Sequence, residues 1–299
     1  MKNLLLGFSI LICGIVNAQH ITAAFDSKEI KALQNGMLYV IPTGDKVFDD
    51  SLSSAVEKYW KVTPVKVLSA DEVMKYLKDE KNYFIAPATS LEKGMTNMIA
   101  SPLTFKPNPS MGIYLTTVYL FHGSSDNKSL KKMDFAIDIA RCIFPYFIHQ
   151  EMGAITIAIA VKNLNDDVAM VINDKLDPYI HVSGRFKPIV KEEFCKNPGA
   201  LKTKTLLIDT SYALSKKSTW VKDFQAYKYK YRFLPLTEIT TLLSSADSKN
   251  YCIVNEGNES YFGGLEIYDF ETKSKIWSGN DAPLAKEIAE LNSVLARSK

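Results

Sequence analysis

The stretch FHGSSDN at residues 121–127 contains the residue types in this chain most suited to chemistry. His122 stands at the predicted end of a strand, and Ser124 follows two residues later. Strand ends often carry function in α/β folds, and histidine titrates near neutral pH. The second half of the chain has IWSGND at the comparable place, a pattern that also suits a plain strand end and helix start. His122 and Ser124 are therefore candidate ligand-binding residues, with this structural interpretation beside them.

The second candidate is the aromatic and basic stretch AYKYKYRFLP at residues 226–235. On a strand its aromatic side chains share one face and its basic side chains the other. Such a face could be a platform for a glycan or peptide, or the core side of an amphipathic edge strand. The first half has valines only where Tyr231 and Phe233 fall, which favours the core for those two. Tyr227 and Tyr229 are therefore the better candidate ligand-binding residues.

Several familiar catalytic patterns are missing from the sequence. The four histidines show no metal-ligand spacing, and no GxSxG pentapeptide marks a serine nucleophile. Cys142 and Cys252 fall in apolar patterns typical of buried thiols, and the glutamates beside Cys195 oppose a low thiol pKa. Catalytic residues are therefore not identified, and no metal or cofactor is expected.

The N-terminus has the pattern of a signal peptide. Lys2 precedes an apolar run of about 13 residues, which is too short to span a bilayer comfortably. Val16-Asn17-Ala18 then places small residues where signal peptidase requires them, so we expect cleavage after Ala18. Ile12 before Cys13 does not fit a lipoprotein signal. No later run is apolar enough for a membrane helix, so the mature chain is expected in the periplasm or outside the cell.

Composition is that of a globular protein with a substantial core. Hydrophobic residues make up 46% of the 299 residues, and 36 basic residues nearly balance 33 acidic ones. This balance, together with the predicted export, argues against a nucleic-acid partner. The expected partners are another cell-envelope protein, a small ligand or a glycan.

Alternating strands and helices predict an α/β fold with mixed sheets covered by helices. Both halves have the order β-α-β-α-β-β-α, in which a helix is predicted over residues 124–144. A long apolar segment at 154–174 has ambiguous periodicity and is assigned to a helix by its length. The predicted divisions are a signal peptide (1–18), a first repeat (19–150), a helical linker (151–203) and a second repeat (204–299).

Lys-Asn-Tyr occurs at residues 81–83 and again at 249–251, each time between a predicted helix and a predicted strand. Asn suits the turn that closes a helix, and Tyr begins a strand well. Gly123 and Gly279 likewise follow a long β-element in each half. We interpret these matches as traces of an internal duplication.

The N-terminus and the stretch EKYWKVTPVKVLSADEVMKYLKDEKNYFIA resemble uncharacterised exported two-repeat proteins of Bacteroidota. The resemblance covers mainly residues 36–90 and their echo at 204–257. It implies a periplasmic or outer-envelope location and offers no catalytic residues to transfer.

The sequence thus favours a non-catalytic exported binding or scaffold protein, with a ligand or partner bound in the crevice between two α/β units. The alternative is an exported hydrolase whose dispersed active site is not visible in the sequence.

Overall fold

The protein forms two mixed sheets of five strands each, both covered by helices. The computed structural model describes residues 27–42, 44–91, 114–123, 138–146, 150–173, 197–213, 218–256, 265–279 and 282–298. Within these ranges the predicted α/β class is confirmed.

Sheet 1 has the strand order β2-β1-β3-β4-β5. Its strands are β1 (Leu38–Val40), β2 (Val65–Val67), β3 (Tyr83–Leu91), β4 (Tyr114–His122) and β5 (Asp138–Tyr146). Strand β1 pairs in parallel with β2 and β3, and the pairs β3–β4 and β4–β5 are antiparallel.

Sheet 2 has the order β7-β6-β8-β9-β10, which is the same topology. Its strands are β6 (Thr205–Asp209), β7 (Tyr231–Leu234), β8 (Tyr251–Glu256), β9 (Leu265–Asp269) and β10 (Ser274–Ser278). Strand β6 pairs in parallel with β7 and β8, and the last two pairs are again antiparallel.

Seven α-helices in the described ranges cover these sheets. They are α1 (Ser27–Leu33), α2 (Lys46–Tyr59), α3 (Ala70–Leu77), α4 (Gln150–Ile172), α5 (Trp220–Phe224), α6 (Leu236–Ser244) and α7 (Leu284–Arg297). We refer to sheet 1 with α1–α4 as unit 1, and to sheet 2 with α5–α7 as unit 2. None of the helices in this described part of the chain is long and apolar enough to span a membrane.

The prediction of a helix over residues 124–144 is wrong for residues 138–144, because residues 138–146 form strand β5. Its first part, 124–137, lies outside the described residues. The apolar residues of this segment have helical spacing. The nine-residue strand β4 nevertheless pairs with it, and this pairing provides hydrogen-bond partners for the backbone groups of β5. Cys142 therefore lies on a strand, where its register partner is Val118.

Asp45, and not the nearby Asp50, caps helix α2 at its N-terminus. The Asp45 carboxylate accepts hydrogen bonds from the backbone N–H groups of Val47, at 3.0 Å, and Phe48, at 3.3 Å. Asp50 instead forms an ion pair with Lys46 one turn before it, at 2.6 Å.

One layer of helices fills the space between the two sheets. The largest hydrophobic cluster contains side chains from both sheets and from helices α1, α2, α4 and α6. Helix α3 covers the outer face of sheet 1, and α5 and α7 cover the outer face of sheet 2. The crevice expected between the units is therefore occupied by the protein's own core.

The two units stack through unlike faces. In unit 1 the helices after the first and last strands, α2 and α4, pack in the central layer, whereas α3 lies outside. In unit 2 the corresponding helices, α5 and α7, lie outside and only α6 packs in the central layer. The α2/α4 face of unit 1 thus meets the α6 face of unit 2.

This stacking shows that the two Lys-Asn-Tyr segments are not structural counterparts. Tyr83 lies on the face of sheet 1 that carries α2, whereas Tyr251 lies on the face of sheet 2 that carries α6. The residue of β8 on the face that carries α5 is Cys252. The common tripeptide is out of register, although the topologies agree.

Candidate functional site between the two units

His122 ends β4 and is half-buried opposite Tyr83 of β3. Its ring Nδ1 lies 2.6 Å from the carbonyl oxygen of Gly123. A carbonyl can only accept, so Nδ1 is the donor of this bond. The backbone N–H of Gly123 in turn donates to the carbonyl of Asn82. Ser124 lies outside the described residues.

Gly123 has no room for a side chain. An added Cβ would lie 2.2 Å from the backbone oxygen of Asp79 and 2.8 Å from that of Leu77. The close approach of two backbone segments, at Gly123 and at residues 77–79, explains this glycine without a ligand.

The structure buries Tyr227, the first aromatic candidate. Only 5% of the residue is exposed, and its ring lies within about 6 Å of the rings of Phe224, Tyr229 and Tyr231. Tyr229 is half-buried against the same cluster. Burial raises the pKa of Tyr227, whose hydroxyl has no hydrogen-bond partner in the described ranges. So little exposed surface does not suit a stacking platform, so the core interpretation fits Tyr227, and Tyr229 packs beside it with part of its surface exposed.

An asparagine of α7 holds the Tyr227 segment in place. The Asn292 side chain donates to the carbonyl of Ala226 at 2.8 Å and accepts from the backbone N–H of Lys228 at 3.2 Å. Both backbone neighbours of Tyr227 are thus bonded to one buried amide. The sequence interpretation missed Asn292 because it lies 64 residues from the segment that it binds.

Unit 1 has the corresponding arrangement. Asn165 of α4 accepts from the backbone N–H of Lys61 at 2.7 Å, just after α2. Trp60 precedes Lys61 as Tyr227 precedes Lys228, and both aromatic residues are buried. Tyr227 therefore has an apolar counterpart, contrary to the sequence interpretation that made it a binding candidate.

The two helices that carry these asparagines match in sequence. Each contains Leu-Asn, at Leu164-Asn165 in α4 and Leu291-Asn292 in α7. The buried positions around the pair match as well, since Val161, Leu164 and Val168 have the same spacing as Ile288, Leu291 and Leu295. This repeated Leu-Asn is the sequence signal that could have revealed the two anchoring residues.

Replacing Asn292 by Ala should lower the free energy of unfolding by about 1–3 kcal/mol, because two partly buried backbone groups lose their partner. Chemical denaturation checks this value. The matched control is Ser293→Ala, the next residue of the same helix and exposed, for which a change within about 0.5 kcal/mol is expected. Equal losses in the two variants would contradict the anchoring role.

A second group of polar side chains joins α4 to the β9–β10 hairpin of unit 2. We refer to its members as the polar seam: Asn163, Asp167, Glu266, Lys273 and Lys275. The Asn163 amide donates to the carbonyl of Lys273 at 3.2 Å and accepts from the backbone N–H of Lys275 at 3.3 Å. Asn163 is therefore a direct cross-link between the two units.

A β-bulge in β10 directs Lys275 into the seam. The pairing of β9 with β10 shifts register between Lys275 and Trp277, and both Ile276 and Trp277 then pack in the outer cluster. Lys275 lies opposite Tyr268, which belongs to the central cluster. Its ammonium is 3.6 Å from a carboxylate oxygen of Glu266.

Asp167 is the most unusual member of the seam. It is 1% exposed, and its Oδ1 atom has no hydrogen-bond partner among the residues that the structure describes. Burial raises its pKa to about 7, and the carboxylates of Asp166 and Glu266 act in the same direction against the attraction of Lys275 and Lys162. The carboxyl group therefore titrates close to neutral pH.

Lys273 lies where the seam meets the surface of α2. It has a left-handed backbone with φ of 59°, and its ammonium lies 3.0 Å from the centre of the Phe270 ring. Desolvation and the neighbouring positive charge of Lys58 lower its pKa to about 8. A like-charged pair from the two units thus lies at the rim of the central layer.

The other buried carboxylates have structural partners. Glu287 accepts from the backbone N–H groups of Leu265, at 2.6 Å, and Ala282, at 3.1 Å. Asp269 pairs with Lys204 at 2.6 Å. Burial raises the pKa of the free Cys252 thiol, so this thiol stays protonated and unreactive. No group of three or more potential metal ligands occurs in the described residues.

Comparisons of the chain with protein-family models, with curated protein sequences and with solved structures found no match.

Proposed function

We propose that the protein is an exported, non-catalytic binding or scaffold protein of the cell envelope. The observation that carries this proposal is that one hydrophobic core and the polar seam bind both units into a single body. Polar side chains at the interface are used to cross-link backbone segments. A rigid body of this kind suits the presentation of surfaces to a partner.

Export and duplication belong to the same proposal. The signal-peptide pattern of residues 1–18 supports export. The common strand order and the paired anchors Asn165 and Asn292 support two related units that arose by duplication.

The rim of the central layer is the proposed binding surface, since the space between the sheets is filled. Lys58 of unit 1 and Lys273 of unit 2 bring two positive charges together there, and an acidic group on a partner would relieve their repulsion. We therefore propose an anionic partner, either an acidic surface of an envelope protein or an acidic glycan.

The test begins with crosslinking of the tagged mature chain in its native cell envelope, followed by mass spectrometry. We expect one envelope component in near-stoichiometric amount, whose binding to the purified chain is then measured directly. Absence of any component above background, together with turnover in a hydrolase screen, would overturn the proposal in favour of the enzyme.

Two charge reversals on α2 locate the surface. Lys58→Glu, at the rim, should weaken binding of the captured component by about tenfold or more. Lys46→Glu, at an exposed residue at the other end of the same helix and ion-paired with Asp50, should leave the affinity unchanged. Equal effects of the two variants would place the binding surface elsewhere.

A further inference from the structure

The position of Asp167 has a consequence that goes beyond the proposed function and does not depend on it. Its carboxyl group is buried in α4 of unit 1 and acts across the interface on Lys275 and Glu266 of unit 2. An ionised carboxylate at such a site needs partners for its oxygens, yet Oδ1 has none within the described part of the chain. The closed interface therefore fits the neutral acid.

The neighbouring positive charges do not compensate for an ionised Asp167 at this buried position. Lys275 and Lys162 both lower the pKa of Asp167, and Lys275, which is buried, has the larger effect. The Lys275 ammonium, however, is also 3.6 Å from a carboxylate oxygen of Glu266. Lys162 lies one turn away on α4 and is ion-paired with Asp166. Two carboxylates thus act on one buried lysine when Asp167 is ionised, and both lie at the same packed surface.

We propose that protonation of Asp167 is a pH-dependent switch for the interface between the units, which is closed when the carboxyl group is neutral and loosened when it is ionised. The proton comes from solvent and returns to it. Loosening hydrates the carboxylate and weakens the packing of α4 on the β9–β10 hairpin, where Asn163 holds the backbone of Lys273 and Lys275.

Hydrogen exchange of the mature protein tests this switch. After correction for intrinsic exchange rates, the amides of α4 and of β10 should lose at least about tenfold in protection between pH 6 and pH 8.5. The amides of β1 and β3, which lie away from the seam, should change less. Uniform protection across this pH range would overturn the proposal.

Two variants separate the switch from general pH effects. Asp167→Asn, which has nearly the same shape, should keep the low-pH protection at both values. Asp166→Asn, at the partly exposed neighbour on the same helix, should still lose protection as the pH rises, with the midpoint moved to lower pH because the Asp166 charge helps to raise the pKa of Asp167. Loss of the response in both variants, or in neither, would contradict the assignment to Asp167.

A direct titration covers the case in which Asp167→Asn fails to fold. The ¹³C signal of the carboxyl carbon, assigned in protein labelled at aspartate, should move between about pH 6 and pH 8 for Asp167. A midpoint near the ordinary value of about 4 would overturn the proposal.

Discussion

Phe84→Ala should lower the free energy of unfolding by about 3–5 kcal/mol, the usual cost of removing a fully buried aromatic ring. Phe84 is completely buried in β3, between sheet 1 and α3. Its ring centre lies 5.6 Å from that of Tyr39 and 5.5 Å from that of Phe121. Both contacts disappear in the variant, and a cavity remains that the neighbouring strands can fill only in part.

Chemical denaturation of the purified mature chain measures this loss. Val67→Ala is the control on an edge strand of the same sheet, because Val67 is 51% exposed and should change stability by less than about 1 kcal/mol. A loss below about 1 kcal/mol for Phe84→Ala would show that β3 does not form the core of unit 1.

Asp167→Asn should stabilise the protein at high pH and change little at low pH. The pKa of Asp167 is raised from 3.8 to about 7 in the folded state, so the folded protein binds the extra proton between these values. Stability therefore falls as the pH rises from about 4 to about 7, and the loss is complete above about 7. The variant lacks this loss and should exceed the wild type by about 2–4 kcal/mol at pH 8.5.

Denaturation curves at pH 5 and pH 8.5 check the sign as well as the size. The two proteins should differ much less at pH 5, where wild-type Asp167 is neutral in the folded state. A variant that is less stable than the wild type at pH 8.5 would mean that the attraction between the Asp167 carboxylate and Lys275 outweighs the cost of burying the charge.

Much of the architecture could be predicted from local patterns. The strands before and after α3 and the helical assignment of residues 154–174 follow from short apolar runs and from length. Local periodicity could not identify β5, because its residues also fit helical spacing and their strand character depends on pairing with β4. A partner strand distant in sequence decided the conformation.

The surroundings of the candidate site residues could be predicted from local sequence patterns even less well than the fold. Tyr227 resembles a surface residue in an alternating aromatic and basic stretch, yet it is buried, and the backbone on either side of it is bonded to Asn292, which lies far along the chain. The sequence does not indicate that Asp167 is buried, since it is one of two adjacent aspartates and its neighbour Asp166 reaches the surface. Only the stacking of unit 2 on α4 decides which of the two carboxylates is desolvated.

The central claim is that the two units form one cooperative body through a common core. The chain has three tryptophans, of which Trp60 lies in the central cluster and Trp220 and Trp277 lie in the outer cluster of unit 2. Labelling with 5-fluorotryptophan gives one ¹⁹F signal for each, so a single urea titration follows both units without substitutions. The account predicts the same midpoint and slope for all three signals. Separate transitions for Trp60 and for the two tryptophans of unit 2 would contradict it.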